Sequence, residues 1–193
     1  MPPAVLAALG NPGAEYAATR HNAGWLLIDA LAETAGCPWR AESRFPAMVA
    51  KADFRGASVH LVKPLVFMNE TGKPLSAFLR FHRIDPADCA VIHDDIAFPP
   101  GVLRLTVGGS DGGHNGVASC LQHLGPGFIR ARVGIGPKRH PAQDLADHVL
   151  GRMPEADRSA LERATPDFIH GLQTLLSRGL PAAQNLTNTR RPS

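Results

Sequence analysis

The chain has 193 residues, 44% of them hydrophobic, which is enough for one domain with a sizeable core and too few for two ordinary domains. Its formal net charge of +3 at pH 7 permits an acidic partner such as nucleic acid without requiring one. Cys37, Cys89 and Cys120 are odd in number and form no CxxC pattern, which argues for reduced thiols. No run approaches the roughly 18 apolar residues of a membrane span, and the N-terminus lacks the pattern of a secretory signal, so we expect a soluble, cytoplasmic protein.

The first half of the chain predicts two strands and two helices. Residues 5–9 form an apolar run that ends in a Gly-Asn-Pro-Gly turn, as a strand would. A helix follows, with Trp25, Ile28 and Leu31 at helical spacing and Gly36 at its end. Residues 58–62 predict a second strand, and residues 74–83 predict a second helix.

The second half continues the alternation of strands with helices. Residues 89–93 predict a strand that breaks at Asp94-Asp95, and residues 102–107 alternate as a strand does. A glycine-rich loop leads to a helix over residues 117–123 and a strand over 131–135, before a helical region from about residue 141. We predict a single α/β domain over residues 1–193, with a polar tail at 185–193. Helices flank its mixed, twisted sheet, and its cleft lies at the carboxyl ends of strands.

His21 and Asp94 are the first candidates for chemistry. His21 stands just before the first helix, where the positive end of the helix dipole favours the neutral imidazole that a general base needs. Asp94 closes an apolar strand, so its carboxylate could accept an imidazole N–H at a partly buried edge. Taken singly, a surface histidine and a turn-forming aspartate are the simpler interpretations.

Three asparagines and a loop add polar groups at other strand ends. Asn11, Asn69 and Asn115 offer donors and acceptors without charge, although asparagine is also an ordinary turn residue. Five glycines between residues 108 and 116 let the backbone approach a ligand closely, yet the segment matches neither the phosphate-loop pattern nor the dinucleotide fingerprint. A flexible connector remains the alternative for this loop.

Short motifs recur in one order along nearly the whole chain, and together they resemble bacterial-type peptidyl-tRNA hydrolase. Each motif is weak by itself, but the ordered set is specific. The motifs are Leu9-Gly10-Asn11-Pro12-Gly13, Tyr16, Thr19-Arg20-His21-Asn22-Ala23-Gly24, Lys63-Pro64, Phe67-Met68-Asn69, His93-Asp94-Asp95, Pro99-Pro100-Gly101, Gly112-Gly113-His114-Asn115-Gly116, Arg132-Val133-Gly134-Ile135-Gly136, His148-Val149-Leu150 and Ala183-Gln184-Asn185.

The resemblance implies a monomeric enzyme of translation that hydrolyses peptidyl-tRNA without a metal or cofactor and contacts the acceptor stem and 3′ end. It places the catalytic base at His21 and its orienting carboxylate at Asp94. In the mechanism that we expect, an asparagine amide from Asn11 or Asn69 stabilises the oxyanion, and we place Asn11 in the catalytic group. The resemblance also implies a set of residues that bind peptide, 3′ nucleotides, water or phosphate. These are Tyr16, Met68, Asn69, His114, Asn115, Arg132 and Arg104.

Two departures from the family pattern concern phosphate recognition. Thr106 stands where some members carry a lysine thought to recognise the 5′ phosphate, which leaves Arg132 and Arg104 to do so. Asp111 adds an acid to a loop that often lacks one, where it could repel phosphate or face solvent.

Three other functions fit parts of the sequence. Ser110 lies in a GxSxG pattern, with His148 or His170 downstream, as in a serine esterase. His93, Asp94, Asp95 and His114 could bind a metal, although their spacing matches no known ligand pattern. A non-catalytic RNA-binding relative is the third alternative, but such a protein does not need a base with an orienting acid.

Overall fold

Strands of one mixed sheet form the centre of the computed structural model, which describes residues 1–54 and 56–189. Seven strands occur within these residues, and β4, β1, β5 and β7 run parallel at the centre, while β3 and β6 pair antiparallel at their outer sides. Across the sheet the order is β2-β3-β4-β1-β5-β7-β6. The strands are β1 (Val5–Ala8), β2 (Arg40–Glu42), β3 (Ala47–Phe54), β4 (Ala57–Pro64), β5 (Cys89–Asp95), β6 (Leu103–Val107) and β7 (Ile129–Gly134).

Helices cover both faces of this sheet. Among the described residues they are α1 (Ala23–Thr34), α2 (Gly72–His82), α3 (Asn115–Leu124), α4 (Leu145–Leu150), α5 (Glu155–Arg178) and α6 (Leu180–Thr187). Leu6 and Ala8 of β1 pack into the core on the side of α1 and α5, whereas Val5 and Ala7 pack on the side of α2 and α3. Burial on both faces explains why this strand is a continuous apolar run. None of the helices in the described part of the chain is long and apolar enough to span a membrane.

The predicted α/β fold with a mixed sheet is confirmed, but two strands on one side of the sheet were not predicted. The sequence analysis did not predict β2 or β3, and β3 pairs with β4 over eight residues from Ala47↔Pro64 to Phe54↔Ala57. Residues such as Ala47, Ala50 and Lys51 have weak strand propensity, so cross-strand pairing rather than local preference makes this segment extended.

The predicted strand break at Asp94-Asp95 is wrong, because β5 continues through Asp95. Asp94 and Asp95 pair in register with Val133 and Gly134 of β7, so their backbone groups belong to the ladder. The end of the chain differs as well: α6 extends to Thr187, into the predicted polar tail, and residues 190–193 of that tail lie outside the described residues.

Candidate active site

His21 reaches the centre of the sheet because the start of α1 lies directly on the ends of two strands. A Cβ atom on Gly24, in the first turn of α1, would lie 2.8 Å from the Leu9 carbonyl oxygen and 3.0 Å from that of Ile92. Only glycine permits this approach without displacement. The preceding turn, Arg20–Asn22, is buried, and it holds the His21 ring beside the end of β5.

The imidazole of His21 and the carboxylate of Asp94 form a buried hydrogen-bonded pair. His21 Nδ1 lies 2.9 Å from Asp94 Oδ1 and 3.0 Å from Oδ2, although the residues are 73 positions apart. The side chains of His21 and Asp94 are 7% and 2% exposed. Because a carboxylate accepts hydrogen bonds, Nδ1 carries the proton, and Nε2 keeps its lone pair. The remaining ring nitrogen therefore has the form of a general base.

A second imidazole donates to the same carboxylate. His114 caps α3, where its Nδ1 accepts from the backbone N–H groups of Gly116 (3.1 Å) and Val117 (3.2 Å). Its proton is therefore on Nε2, which lies 2.8 Å from Asp94 Oδ1. Burial acts to raise the pKa of Asp94, but His114 and His21 outweigh it and hold that pKa well below its usual range. Asp94 is thus an anion that can stabilise an imidazolium.

The ring of His93 lies behind this pair and contacts an arginine. His93 Nδ1 donates to the backbone oxygen of Asp94 at 2.8 Å, and its Nε2 accepts from Arg130 Nε at 3.4 Å. Burial, together with the nearby His114 and Arg130, lowers the pKa of His93 to about 3. The sequence analysis missed Arg130; its alternation with Arg132 on one strand is the signal that places both on one face.

The backbone near the turn after β1 is fixed by reciprocal amide bonds. Asn11 Oδ1 accepts from the Met68 N–H at 2.8 Å. The Asn11 N–H donates to Asn22 Oδ1 at 2.8 Å, and Asn22 Nδ2 donates to the Asn11 carbonyl at 3.0 Å. Asn11 Nδ2, the donor end of the amide, has no hydrogen-bond partner within residues 1–54 and 56–189. The sequence analysis included Asn22 in a family motif but gave it no role.

One cleft of about 1130 Å³ brings together the predicted site residues with a single exception. It is lined by Asn11, Tyr16, His21, Met68, Asn69, Asp94, His114, Asn115 and Arg132. Arg104 lies outside this lining, and its Nη1 donates to the backbone oxygen of Thr187 at 2.7 Å, which links β6 to α6. Asn69 and Asn115 are exposed at the cleft, whereas Asn11 is buried.

Positive and negative side chains lie together in the lining of the cleft. Arg132 Nε lies 2.7 Å from Asp95 Oδ2, and its guanidinium lies 4.8 Å from the centre of the Phe98 ring. Thr106 and Asp111 line the same region. The arginine is thus partly neutralised where phosphate recognition was expected.

The geometry does not favour the esterase or the metal site. Ser110 belongs to a loop that continues to His114 before α3 begins, and His148 Nε2 instead bonds to the Gly136 carbonyl at 3.1 Å. Within residues 1–54 and 56–189, the side chains that lie close enough to share a metal are His21, Asp94 and His114, a set that lacks the expected His93 and Asp95. Their ligand atoms are already joined by the hydrogen bonds described above.

Known proteins similar to this chain match it over nearly its whole length. A family model described as peptidyl-tRNA hydrolase matches residues 5–193. Peptidyl-tRNA hydrolase of Acinetobacter baumannii (strain AYE) is 35% identical over 191 residues, covering 98% of this chain and 97% of the relative. That of Synechococcus sp. (strain JA-3-3Ab) is 40% identical over 186 residues, with coverages of 95% and 82%.

Solved structures agree at the level of the fold. The crystal structure of peptidyl-tRNA hydrolase from Acinetobacter baumannii superposes with a TM-score of 0.93 at 34% identity, covering 99% of this chain and 97% of that one. A complex of peptidyl-tRNA hydrolase with N-propanol gives a TM-score of 0.92 at 35% identity, with the same coverages. On the family match, the sequence identities and the shared fold, the chain belongs to the peptidyl-tRNA hydrolase family.

Proposed function

We propose that the chain hydrolyses the ester bond of peptidyl-tRNA by general-base catalysis, with His21 as the base and Asp94 as the residue that orients it. The reaction itself follows from the family. The observation that carries the mechanism is the buried bond of 2.9 Å from His21 Nδ1 to Asp94 Oδ1. It fixes the tautomer in which Nε2 can accept a proton.

In the proposed first step, His21 Nε2 takes a proton from a water molecule as its oxygen attacks the ester carbonyl. Asp94 stabilises the imidazolium that forms, because its carboxylate is ionised and shielded from solvent. The tetrahedral intermediate carries a negative oxygen. When it collapses, the bond to the 3′ ribose oxygen breaks, and that oxygen takes the proton from His21. The products are the free peptide acid and the tRNA.

Asn11 is the asparagine best suited to stabilise the oxyanion. Its side-chain oxygen is committed to the Met68 N–H at 2.8 Å, so its Nδ2 donor has a fixed direction. A preorganised donor of this kind is worth roughly 3 kcal/mol in the transition state. Asn69 and Asn115 are exposed, which suits contacts with substrate and water that form only on binding.

The remaining cleft residues are assigned to substrate binding. Tyr16 lies edge-on to Phe67, with ring centres 6.3 Å apart, and offers an aromatic surface for a terminal base. Met68 and His114 border the reacting group, and Arg132 is the phosphate contact within the cleft. Arg104 lies outside the cleft, so a phosphate that it contacts would belong to a more distant part of the acceptor stem.

The proposal includes a monomer that acts in the cytoplasm without a metal. One chain supplies the base, the orienting carboxylate and the oxyanion donor, so catalysis needs no residue from a second copy. His21 and His114 each donate an N–H hydrogen bond to Asp94, and this arrangement orients the base without a metal. Peptidyl-tRNA is an intermediate of translation, which takes place in the cytoplasm.

Single-turnover hydrolysis of an N-blocked aminoacyl-tRNA tests the proposal. We expect His21→Ala to lower the rate about 10²–10⁴-fold, the usual contribution of a general base, while the Kd for free tRNA changes less than about twofold. His170→Ala is the matched control, because this histidine is exposed on α5 outside the cleft. A His21→Ala rate near that of the unchanged protein would refute the mechanism. Binding without any hydrolysis by the unchanged protein would instead support the non-catalytic alternative.

A further inference from the structure

The side chain of Arg130 is buried beneath the glycine-rich loop of residues 108–114 and bonds to it at two points. Arg130 is 5% exposed. Its Nη1 donates to the backbone oxygens of Gly108 at 3.2 Å and Ser110 at 2.7 Å. Its Nε donates to His93 Nε2 at 3.4 Å. One guanidinium therefore joins the start of the loop to the residue that precedes Asp94.

The loop depends on such contacts because its backbone has few preferences of its own. Gly108, Gly109, Gly112 and Gly113 all have positive φ, between 61° and 90°. Glycine adopts this region freely but also leaves it freely, and it loses more conformational entropy on ordering than any other residue. The conformation of the loop therefore depends on the groups that hold its two ends.

His93 transmits the position of Arg130 to the backbone of Asp94. Because Arg130 donates to Nε2, the proton of His93 is on Nδ1, which donates to the Asp94 backbone oxygen at 2.8 Å. The pKa of His93, lowered to about 3 by burial and by the nearby His114 and Arg130, keeps the ring neutral across the physiological range. The same donor and acceptor pattern therefore persists at every working pH.

The other end of the loop returns to the same aspartate. His114, its last residue, donates from Nε2 to Asp94 Oδ1 at 2.8 Å. We propose that Arg130 and His93 are positioning residues that hold the glycine-rich loop closed, so that His114 and the backbone bond together fix the Asp94 carboxylate against His21. This inference rests on the roles proposed for His21 and Asp94.

A phosphate contact is the competing role for Arg130, since it lines the cleft beside Arg132. The two roles affect different kinetic constants. A positioning residue acts on the geometry of the transition state, where a misplacement of about 1 Å can cost up to 10²-fold in rate. A phosphate contact acts on binding and on its dependence on salt.

The test compares Arg130→Met with Arg132→Met in steady-state hydrolysis of an N-blocked aminoacyl-tRNA. For Arg130→Met we expect kcat to fall about 10–100-fold, with KM and its salt dependence changed less than about twofold. For Arg132→Met we expect a higher KM and a weaker salt dependence. Arg40→Met, an exposed change on β2, controls for the loss of one positive charge. A raised KM with normal kcat in Arg130→Met would overturn the proposal.

A pair of changes at His93 keeps the test valid if Arg130→Met does not fold. His93→Gln retains an acceptor for Arg130 and an N–H donor, and we expect it to keep kcat within about threefold, whereas His93→Leu should lose 10–100-fold. Equal loss in both variants would contradict the relay. The losses in kcat caused by His93→Leu and by His114→Ala should be less than additive in the double variant, because both residues act through the Asp94 carboxylate. Fully additive losses would also contradict the relay.

The unchanged protein and His21→Ala are assayed in parallel, because they separate the two proposals. A fully active His21→Ala refutes the proposed function whatever Arg130 does. An inactive His21→Ala together with normal kcat in both Arg130→Met and His93→Leu refutes only the positioning role.

Discussion

At the scale of single residues, the central feature is one carboxylate that accepts from two imidazoles. His21 Nδ1 and His114 Nε2 lie 2.9 and 2.8 Å from Asp94 Oδ1. Asp94→Asn removes the charge and turns one acceptor into a donor that faces an N–H group. We expect kcat to fall about 10²–10⁴-fold with little change in KM, because the imidazolium loses its partner and the His21 tautomer is no longer fixed. Steady-state hydrolysis of an N-blocked aminoacyl-tRNA measures both constants.

Asp94→Ala provides the comparison for that prediction. It has no oxygen to accept from either ring, so we expect its rate to be at or below that of Asp94→Asn. A rate for Asp94→Asn within about threefold of the unchanged protein would show that the carboxylate does not orient the base.

At the scale of elements, the approach of α1 to the strand ends positions His21. The Cβ atom of Gly24→Ala would lie 2.8 Å from the Leu9 oxygen and 3.0 Å from the Ile92 oxygen, and both are backbone atoms that cannot rotate away. We expect α1 to shift outward, lowering the free energy of unfolding by about 1–3 kcal/mol. The rate should fall more than tenfold, since His21 moves with the helix. Urea unfolding and single-turnover assays measure the two effects.

Gly127→Ala is the control for this change in α1. Gly127 is exposed in the turn before β7, and a Cβ atom there would meet no other group within 4 Å. Its stability and rate should stay close to normal. If Gly24→Ala matched this control in both measurements, the close packing of α1 would not be what places the base.

At the scale of the whole molecule, burial of neutral His93 makes stability depend on pH. Its pKa is about 3 in the fold and about 6.5 in the unfolded chain, so unfolding takes up a proton between these values. With respect to His93, the free energy of unfolding is highest above pH 6.5 and decreases as the pH falls towards 3. We expect His93→Gln to flatten the decline in unfolding free energy between pH 6.5 and 4, measured by urea titration.

Other buried groups should preserve part of the acid decline in unfolding free energy in His93→Gln. Burial also lowers the pKa values of His60 and His148, so they act in the same direction as His93. The Asp94 carboxylate, whose pKa is held low, adds a loss only below its unfolded value of about 3.8. An unchanged slope in His93→Gln would mean that His93 does not titrate on unfolding.

The amino-acid sequence by itself determined the family, the alternation of central strands with helices, and most residues of the cleft. These are local signals. Val5 to Ala8 are continuously apolar because β1 is buried on both faces, and glycine and asparagine mark the turns at strand ends. His21, Asp94 and Asn11 were found in this way, from their places at the ends of predicted elements and from the motifs around them.

Only the tertiary structure decided which side chains meet. The strand β3 is extended through pairing with β4, and Asp94-Asp95 stay in β5 because β7 completes their ladder. The tautomers of His21 and His93, the role of Arg130 and the place of Arg104 outside the cleft depend on partners 20 or more positions away. Hydrogen bonds of this kind are set by the packing of distant elements, whereas hydrophobic periodicity and turn preferences extend over only a few residues.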